Sequence, residues 1–531
     1  MCYNDDVRTI KGFITGYGVQ IAVVGVATGA FAGVVVTLYN MAASALEGVA
    51  RGYYDFFRES PAFIPLLLAG LALGGVVIGG VVRALPTIRG SGIPQTEGAL
   101  RGLMRFGWFR ALTGMFASSL TAIVLGLPAG AEGPSIMIGG MCGQGMSELT
   151  RRNALVRRFQ ITGGACAGLA VAFNAPLTGM IFAFEEGHRR FSPGIFACSL
   201  TSVIVAVIVR NGLRAAFGLD TAQFMTTYAL SVADLEAPLF YLFVFLASVV
   251  CAALGVAFAR LTGIARRFFS RVTFLKGAGK FMLPFVLAGA AGLLTVFSIG
   301  GGREFISAMG SLSEETVSVL SSPLWASLLI VVAVRLVLAV LNMGVGVPCG
   351  AFVPMLAIGA GTGGLLAIAC GAMGMDPAYT DALIVICMAC FFTTVVRAPL
   401  TGIVMTFELT WNFAFLLPVA IGVAVGYFAG ELTRTTPVYD GILDDMLVDP
   451  DLAGTRAYVR RLTVTAETAG KALGDIALPR GAELTLFERR GRVSVPSADT
   501  VAEIGDVLTI EGAGDPESED VQTALPRTGY E

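Results

Sequence analysis

The chain has 531 residues, 55% of them hydrophobic and 14% charged, with a formal net charge of −2. A soluble protein carries roughly 25% charged residues, so this composition describes a polytopic membrane protein and gives no reason to expect nucleic acid as a partner. The nine cysteines form no paired framework and His188 is the only histidine, which speaks against a disulfide scaffold or a metal site.

The opening MCYNDDVRTIK lacks the basic region, short apolar core and small-residue cleavage site of a removed signal, so the amino terminus is expected in the cytoplasm. Charge-free stretches then run from Gly12 to Leu46, Pro61 to Val82, Gln160 to Phe184, Phe191 to Val209, Ala237 to Ala259, Phe281 to Gly302 and Leu336 to Met375. Each meets or exceeds the ~20 residues with which an α-helix crosses a bilayer, and several hold more than one helix. Ala398 to Phe407 is too short and too broken by Gly and Pro to span. Half-helices and re-entrant pieces are therefore expected, in a total of roughly sixteen to eighteen helical segments. Gly70, Gly74, Gly75, Gly79 and Gly80 form a stripe that suits close helix packing. Arg151, Arg152, Arg157 and Arg158, and later Arg266, Arg267 and Arg271, mark candidate cytoplasmic loops. Cys387 and Cys390, set in LIVICMACFF, read as small buried hydrophobes. After Arg434 the character changes. Residues 456 to 512 show alternating apolar positions (Leu484 and Leu486, Val493 and Val495, Leu508 and Ile510), a hairpin-like Arg490-Gly491 and a short amphipathic stretch around Ala469 to Ile476. Together these read as a small soluble α+β unit. From about Ala513 the acidic, Ser/Pro-containing composition reads as disordered.

The chain also nearly repeats itself. Residues 130 to 139 read GAEGPSIMIG and residues 350 to 359 read GAFVPMLAIG. Each is followed by an APLTG, at Ala175 to Gly179 and at Ala398 to Gly402. The offsets are 350 − 130 = 220 and 398 − 175 = 223, and Phe184-Glu185 and Phe407-Glu408 keep step with them. Two matching apolar halves, each interrupted by Gly and Pro, are the pattern of a transporter whose binding site lies between repeats near the membrane midplane.

Three Gly/Pro-bounded segments could line one site: GSGIP at 90 to 94, GAEGP at 130 to 134 and GAFVP at 350 to 354. Proline falls where a helix's first turn tolerates a missing N–H. Such a start leaves unpaired N–H groups and the positive end of the helix dipole, which favour an anion. Three of them converging would hold one without a formal positive charge, so that the ion can also leave. Glu132 is not explained by packing, because a carboxylate in so apolar a segment is costly and marks function. At a helix start that suits anions, its own carboxylate can fill the place of a transported ion, and protonation should release it. Glu185 and Glu186 close an apolar run, as interfacial acids or as functional ones. Tyr439 is either a belt aromatic or a hydroxyl aimed into the pore.

These segments, the FNAPLTG run at 173 to 179 with Glu186 beyond it, and Tyr439 resemble, in order and spacing, the motifs of the CLC family of chloride channels and proton-coupled chloride exchangers. The resemblance spans about residues 10 to 445. It implies an all-α polytopic membrane protein of two inverted-topology repeats with re-entrant half-helices, and a homodimer in the cell membrane with one anion path per subunit. By position, Ser91 and Tyr439 are similar to the central anion ligands, with backbone amides at Gly92, Ile93, Phe352 and Val353. Glu132 matches the external gating glutamate and Glu186 the internal proton-transfer glutamate. No cofactor is implied beyond the substrate ions, chloride and protons, and no enzymatic reaction. The gating motif often carries a basic residue before its glutamate; Ala131 stands there here, which implies a weaker pull on chloride at the outer mouth. In the tail, Val464 to Ile510 resembles the TrkA carboxy-terminal domain, implying a regulator with a small ligand of its own.

The expected organisation is a transport domain over 1–447, with repeat halves at about 12–215 and 236–435, and a cytosolic α+β unit over 448–531. Both termini are expected in the cytoplasm. The expected function is exchange of chloride for protons; a passive chloride channel, or an exchanger preferring nitrate or fluoride, is the alternative. A potassium-uptake protein is disfavoured because no TVGYG-like carbonyl filter is repeated.

Overall fold

The computed structural model describes residues 18–513 except 105, 153, 190, 220–227, 229–237, 272–276, 314, 449–456, 466–467, 477, 479–481, 491, 495 and 497–498. The opening MCYNDDVRTIK with Cys2, the repeat starts at 12 and 236, Gly491, Val495 and the acidic end after Ala513 lie outside the described residues.

Among the described residues, eight helices make the first half: α1 (Gly18–Glu59), α2 (Ile64–Ala84), α3 (Ile93–Leu100), α4 (Trp108–Val124), α5 (Glu132–Leu149), α6 (Ala154–Phe173), α7 (Pro176–Phe182) and α8 (Pro193–Ala216). Eight more repeat the pattern: α9 (Pro238–Arg271), α10 (Met282–Leu294), α11 (Arg303–Met309), α12 (Leu324–Val345), α13 (Phe352–Ala372), α14 (Thr380–Val396), α15 (Pro399–Thr410) and α16 (Leu416–Leu432). A last helix, α17 (Val438–Leu447), follows them. Among the described residues, nine helical stretches are long and apolar enough to cross a bilayer. By contrast α3, α7, α11 and α15 have 8, 7, 7 and 12 residues; at about 1.5 Å per residue they fall short of a ~30 Å hydrocarbon core. These are the expected half-helices, and α3, α7 and α15 open with proline in the first turn.

Small residues set the helix crossings. A Cβ on Gly143 of α5 would run into Gln160 O of α6, and Gly25, Gly29 and Gly33 of α1 lie against Cys198, Ser202 and Ala206 of α8. With no solvent to squeeze helices together, such close approach supplies packing contact in its place. Within the α2 stripe, Gly74, Gly75 and Gly79 abut Leu125, Phe281 and Ala278, while Gly70 and Gly80 face open space. Cys387 and Cys390 sit buried on α14, with Cys390 Sγ donating to Ser248 O.

The halves meet about a pseudo-two-fold. Gly130 and Gly350, equivalent residues, form an antiparallel bridge in which each N–H donates to the other's carbonyl at 2.8 Å. Farther on, Glu185 accepts from Leu400 N at 2.7 Å and Thr401 N at 2.6 Å, at the start of α15. Glu408 does the same for α7, accepting from Leu177 N at 2.7 Å and Thr178 N at 2.6 Å. Each repeat thus caps the other's APLTG helix with a charged acceptor, and a hydrogen bond to a charged group contributes roughly 1.5–3 kcal/mol. This is why the two Phe-Glu pairs keep register. Glu185 therefore serves the fold.

The tail is a four-stranded antiparallel sheet, ordered β1-β4-β2-β3, of β1 (Ala457–Thr463), β2 (Ala482–Arg489), β3 (Arg492–Ser494) and β4 (Val507–Ala513). Arg489 pairs with Arg492, and Arg490 between them has φ +52°; Gly491 of the expected hairpin lies outside the described residues. Its core is Val464, Leu473, Phe487, Ala502 and Leu508. The amphipathic stretch around Ala469 to Ile476 closes into one 3-10 turn, Leu473–Asp475, and not an α-helix. Gly470 at φ +83° bends the chain there, and strand-like bonds from Gly470 N to Ala502 O and Leu473 N to Thr500 O take up its backbone.

Candidate functional site

The bridge at Gly130 and Gly350 brings the starts of α5 and α13 together, and α3 closes on them. A Cβ on Gly133 would touch Ser91 O and would lie 3.1 Å from Gly350 Cα; one on Gly92 would lie 2.9 Å from Met137 Cβ and 3.0 Å from Gly133 O. Only glycine permits three backbones to approach this closely, and Gly92 also sits at φ +87°, a conformation that suits it. The three motifs read from the sequence therefore do line one place.

Each start is short of donors' partners. In α13 the first intrahelical bond of the turn is Met355 N to Ala351 O at 3.0 Å, and Pro354 has no N–H, so Phe352 and Val353 carry the exposed donors. In α3, Thr96 N returns to Gly92 O at 3.2 Å and Pro94 has no N–H, leaving Ile93 and Gln95. Around them are buried polar atoms that find no protein partner: Ser91 Oγ, Glu132 Oε2 and Tyr439 Oη. The residues are 3%, 1% and 2% exposed. An unsatisfied buried polar atom costs roughly 1–3 kcal/mol; the Ser91 and Tyr439 hydroxyls can donate to a ligand that accepts hydrogen bonds, whereas Glu132 Oε2 only accepts and stands in the place of such a ligand. Tyr439 lies in the buried cluster that holds Ile93, Phe352 and Val353, which decides against a belt position. Ser91 shares its cavity with Ile442 and Met446 of α17.

Glu186 lies elsewhere, in a π-helical turn over Ala183–Gly187, a distortion that often marks functional positions. It is buried and faces Glu97, which is wholly buried on α3. Arg101 ties this corner together, donating to Glu97 at 3.2 Å, to Asp440 at 3.3 Å and to the Glu186 carbonyl at 3.1 Å. Arg189 binds Asp440 at 2.6 Å. Two facing carboxyls form a place where a proton can be held. Tyr439 stands within electrostatic reach of Glu186, Glu97 and Glu132.

Glu97, Arg101 and Arg303 were not singled out from the sequence. Glu97 carried the same signal as Glu132, a carboxylate inside a membrane segment. Arg303 stands at the start of α11, which occupies in the second half the place of α3 in the first, and its Nη2 donates to Glu132 Oε1 at 2.8 Å. The missing basic residue at Ala131 does not leave the carboxylate without a cation, because α11 supplies one.

Two inverted halves, short helices that stop at the middle, and a donor-rich, lysine-free site between them define a membrane transporter for a small anion. The family model described as voltage gated chloride channel matches residues 74–431, and the chain belongs to that family. Similar proteins include the H(+)/Cl(-) exchange transporter ClcA of Vibrio campbellii, 29% identical over 81% of this chain and 91% of the relative. Another is ClcA of Yersinia pestis, 30% identical over 82% of this chain and 88% of the relative. Among solved structures, a slow cyanobacterial Cl-/H+ antiporter superposes with a TM-score of 0.73 at 24% identity, over 81% of this chain and 99% of that one. A CLC-type fluoride/proton antiporter gives 0.60 at 21%, over 80% and 97%.

Proposed function

We propose that this protein exchanges chloride for protons across a cell membrane. The observation that carries the reading is the presence of two buried carboxyls, Glu132 at the converging helix starts and Glu186 facing Glu97 away from them. An anion channel needs only the first. In this reading Ser91 and Tyr439 hydroxyls and the amides of Gly92, Ile93, Phe352 and Val353 hold the anion, Glu132 competes with it, and Glu186 passes protons. Purified protein in liposomes under imposed chloride and pH gradients tests it. The reversal potential should be displaced by the pH gradient; a value tracking chloride alone would make the protein a channel.

Chloride over nitrate or fluoride is supported by Ser91, whose hydroxyl sets how much hydration a small anion must surrender. Ser91→Pro is expected to favour nitrate relative to chloride in a competition flux assay, and unchanged preference would place Ser91 outside the selectivity site. The resemblance also supports a homodimer with both termini in the cytoplasm and a tail, 448–531, that regulates transport by binding a small ligand. A chain ended near Val448 should insert, dimerise and still couple the two ions in the same liposomes. Loss of coupling under every condition would make the tail part of the ion mechanism.

A further inference from the structure

Arg303 reaches the gate carboxyl from the opposite repeat. Its Nη2 donates to Glu132 Oε1 at 2.8 Å and to Ala172 O at 3.0 Å. The two side chains differ in setting: Glu132 is 1% exposed and Arg303 37%. The cation thus enters from a wetter mouth to a carboxylate otherwise enclosed, while Oε2 lies against Gly130 at the helix start.

The charges around the pair favour that assignment. Glu304, next to Arg303, is paired with Arg51 of α1, and Arg51 also donates to Glu47 at 2.8 Å. Glu47 also lies within electrostatic reach of Arg303 and of Glu132, while the ion pair that Arg303 makes at 2.8 Å is with Glu132. Arg335 of α12, wholly buried, donates to Gly301 O at 3.3 Å just before α11, and Arg210 of α8 is within electrostatic reach of Arg303.

We propose that Arg303 is a latch on the outer gate: its guanidinium holds the ionised Glu132 carboxylate across the anion position and releases it when the carboxyl takes up a proton. The inference rests on Glu132 being the gate of the exchange read above. The charge-assisted bond at 2.8 Å fixes the carboxylate in place, so breaking it should free the anion position. Arg303 is a positioning residue acting through Glu132.

Chloride efflux from proteoliposomes, measured against external pH, tests this with Arg303→Gln, Arg303→Lys and Arg303→Gln combined with Glu132→Gln. In Arg303→Gln chloride flux at neutral pH should be several-fold faster, because nothing then holds the carboxylate across the anion position. Arg303→Lys keeps the charge and should stay near the unsubstituted profile, which separates loss of the latch from damage to the fold. With Glu132→Gln already present there is no carboxylate to hold, so Arg303→Gln should change nothing further. Unchanged flux at neutral pH, or the same loss of flux in both backgrounds, overturns the latch and leaves Arg303 an attractor of anions. The assay reads chloride alone. Absence of chloride-driven proton movement in the unsubstituted protein would remove the exchange reading without deciding this one.

Discussion

Glu132→Gln is expected to keep chloride flux and to stop proton flux. The amide has the shape of the carboxyl and can still accept from Arg303, but it carries no charge to compete for the donors at the starts of α3, α5 and α13. The anion position is then open at every pH, and no group at that point can take a proton from one side and give it to the other. Chloride efflux from proteoliposomes should lose its acid dependence, and a pH electrode in the same vessel should register only leak. The variant should fold, since Glu132 lies at the end of a helix whose backbone bonds, such as Ser135 N to Ala131 O at 2.9 Å, do not involve its side chain. Intact chloride-driven proton pumping would sink the gating assignment.

The repeat was legible because it is written in residue types that have few alternatives. Glycine at 130, 133 and 350 is required where Gly133 meets Ser91 O and Gly350 meets Gly130 O, and proline at 94, 134 and 354 is tolerated only in a first turn. A pattern under such constraint survives in the chain as a motif. Pairing of charges does not. Nothing local to Glu185 says that it caps α15, more than two hundred residues on, although its register with Glu408 hinted that both had one role. Arg303 was hidden for the same reason: its partner lies in the other repeat, and a guanidinium beside three glycines reads as an ordinary loop until the backbone is closed. The basic residue missing at 131 was visible as a gap and its replacement was not. In the tail, alternation found the strands, whereas a short amphipathic stretch is compatible with either a helix or a bent turn. The bonds to Thr500 and Ala502 decided for the turn.

Glu186→Val should separate exchange from conduction without touching the anion position. A proton crossing from the inner side needs an ionisable stop before Glu132, and water can bridge the remaining distance. Valine removes the stop together with its hydrogen bond to Glu97. The π-turn is held by backbone bonds, His188 N to Ala183 O at 2.9 Å among them, and Arg101 grips the carbonyl of residue 186 and not its side chain. Chloride flux should persist and chloride-driven proton movement should vanish. Glu185→Gln, one residue away, should do the reverse: coupling persists, while the charge-assisted caps on Leu400 N and Thr401 N weaken and thermal stability drops by about 1–3 kcal/mol. Recording chloride and pH together from proteoliposomes of both variants, with a thermal melt of each in detergent, makes the comparison. If Glu186→Val still pumps protons uphill when driven by chloride, another group carries them. Glu97 is the group already in place, wholly buried, facing residue 186 and held by Arg101, and adding Glu97→Gln to Glu186→Val would then be the change that stops the protons.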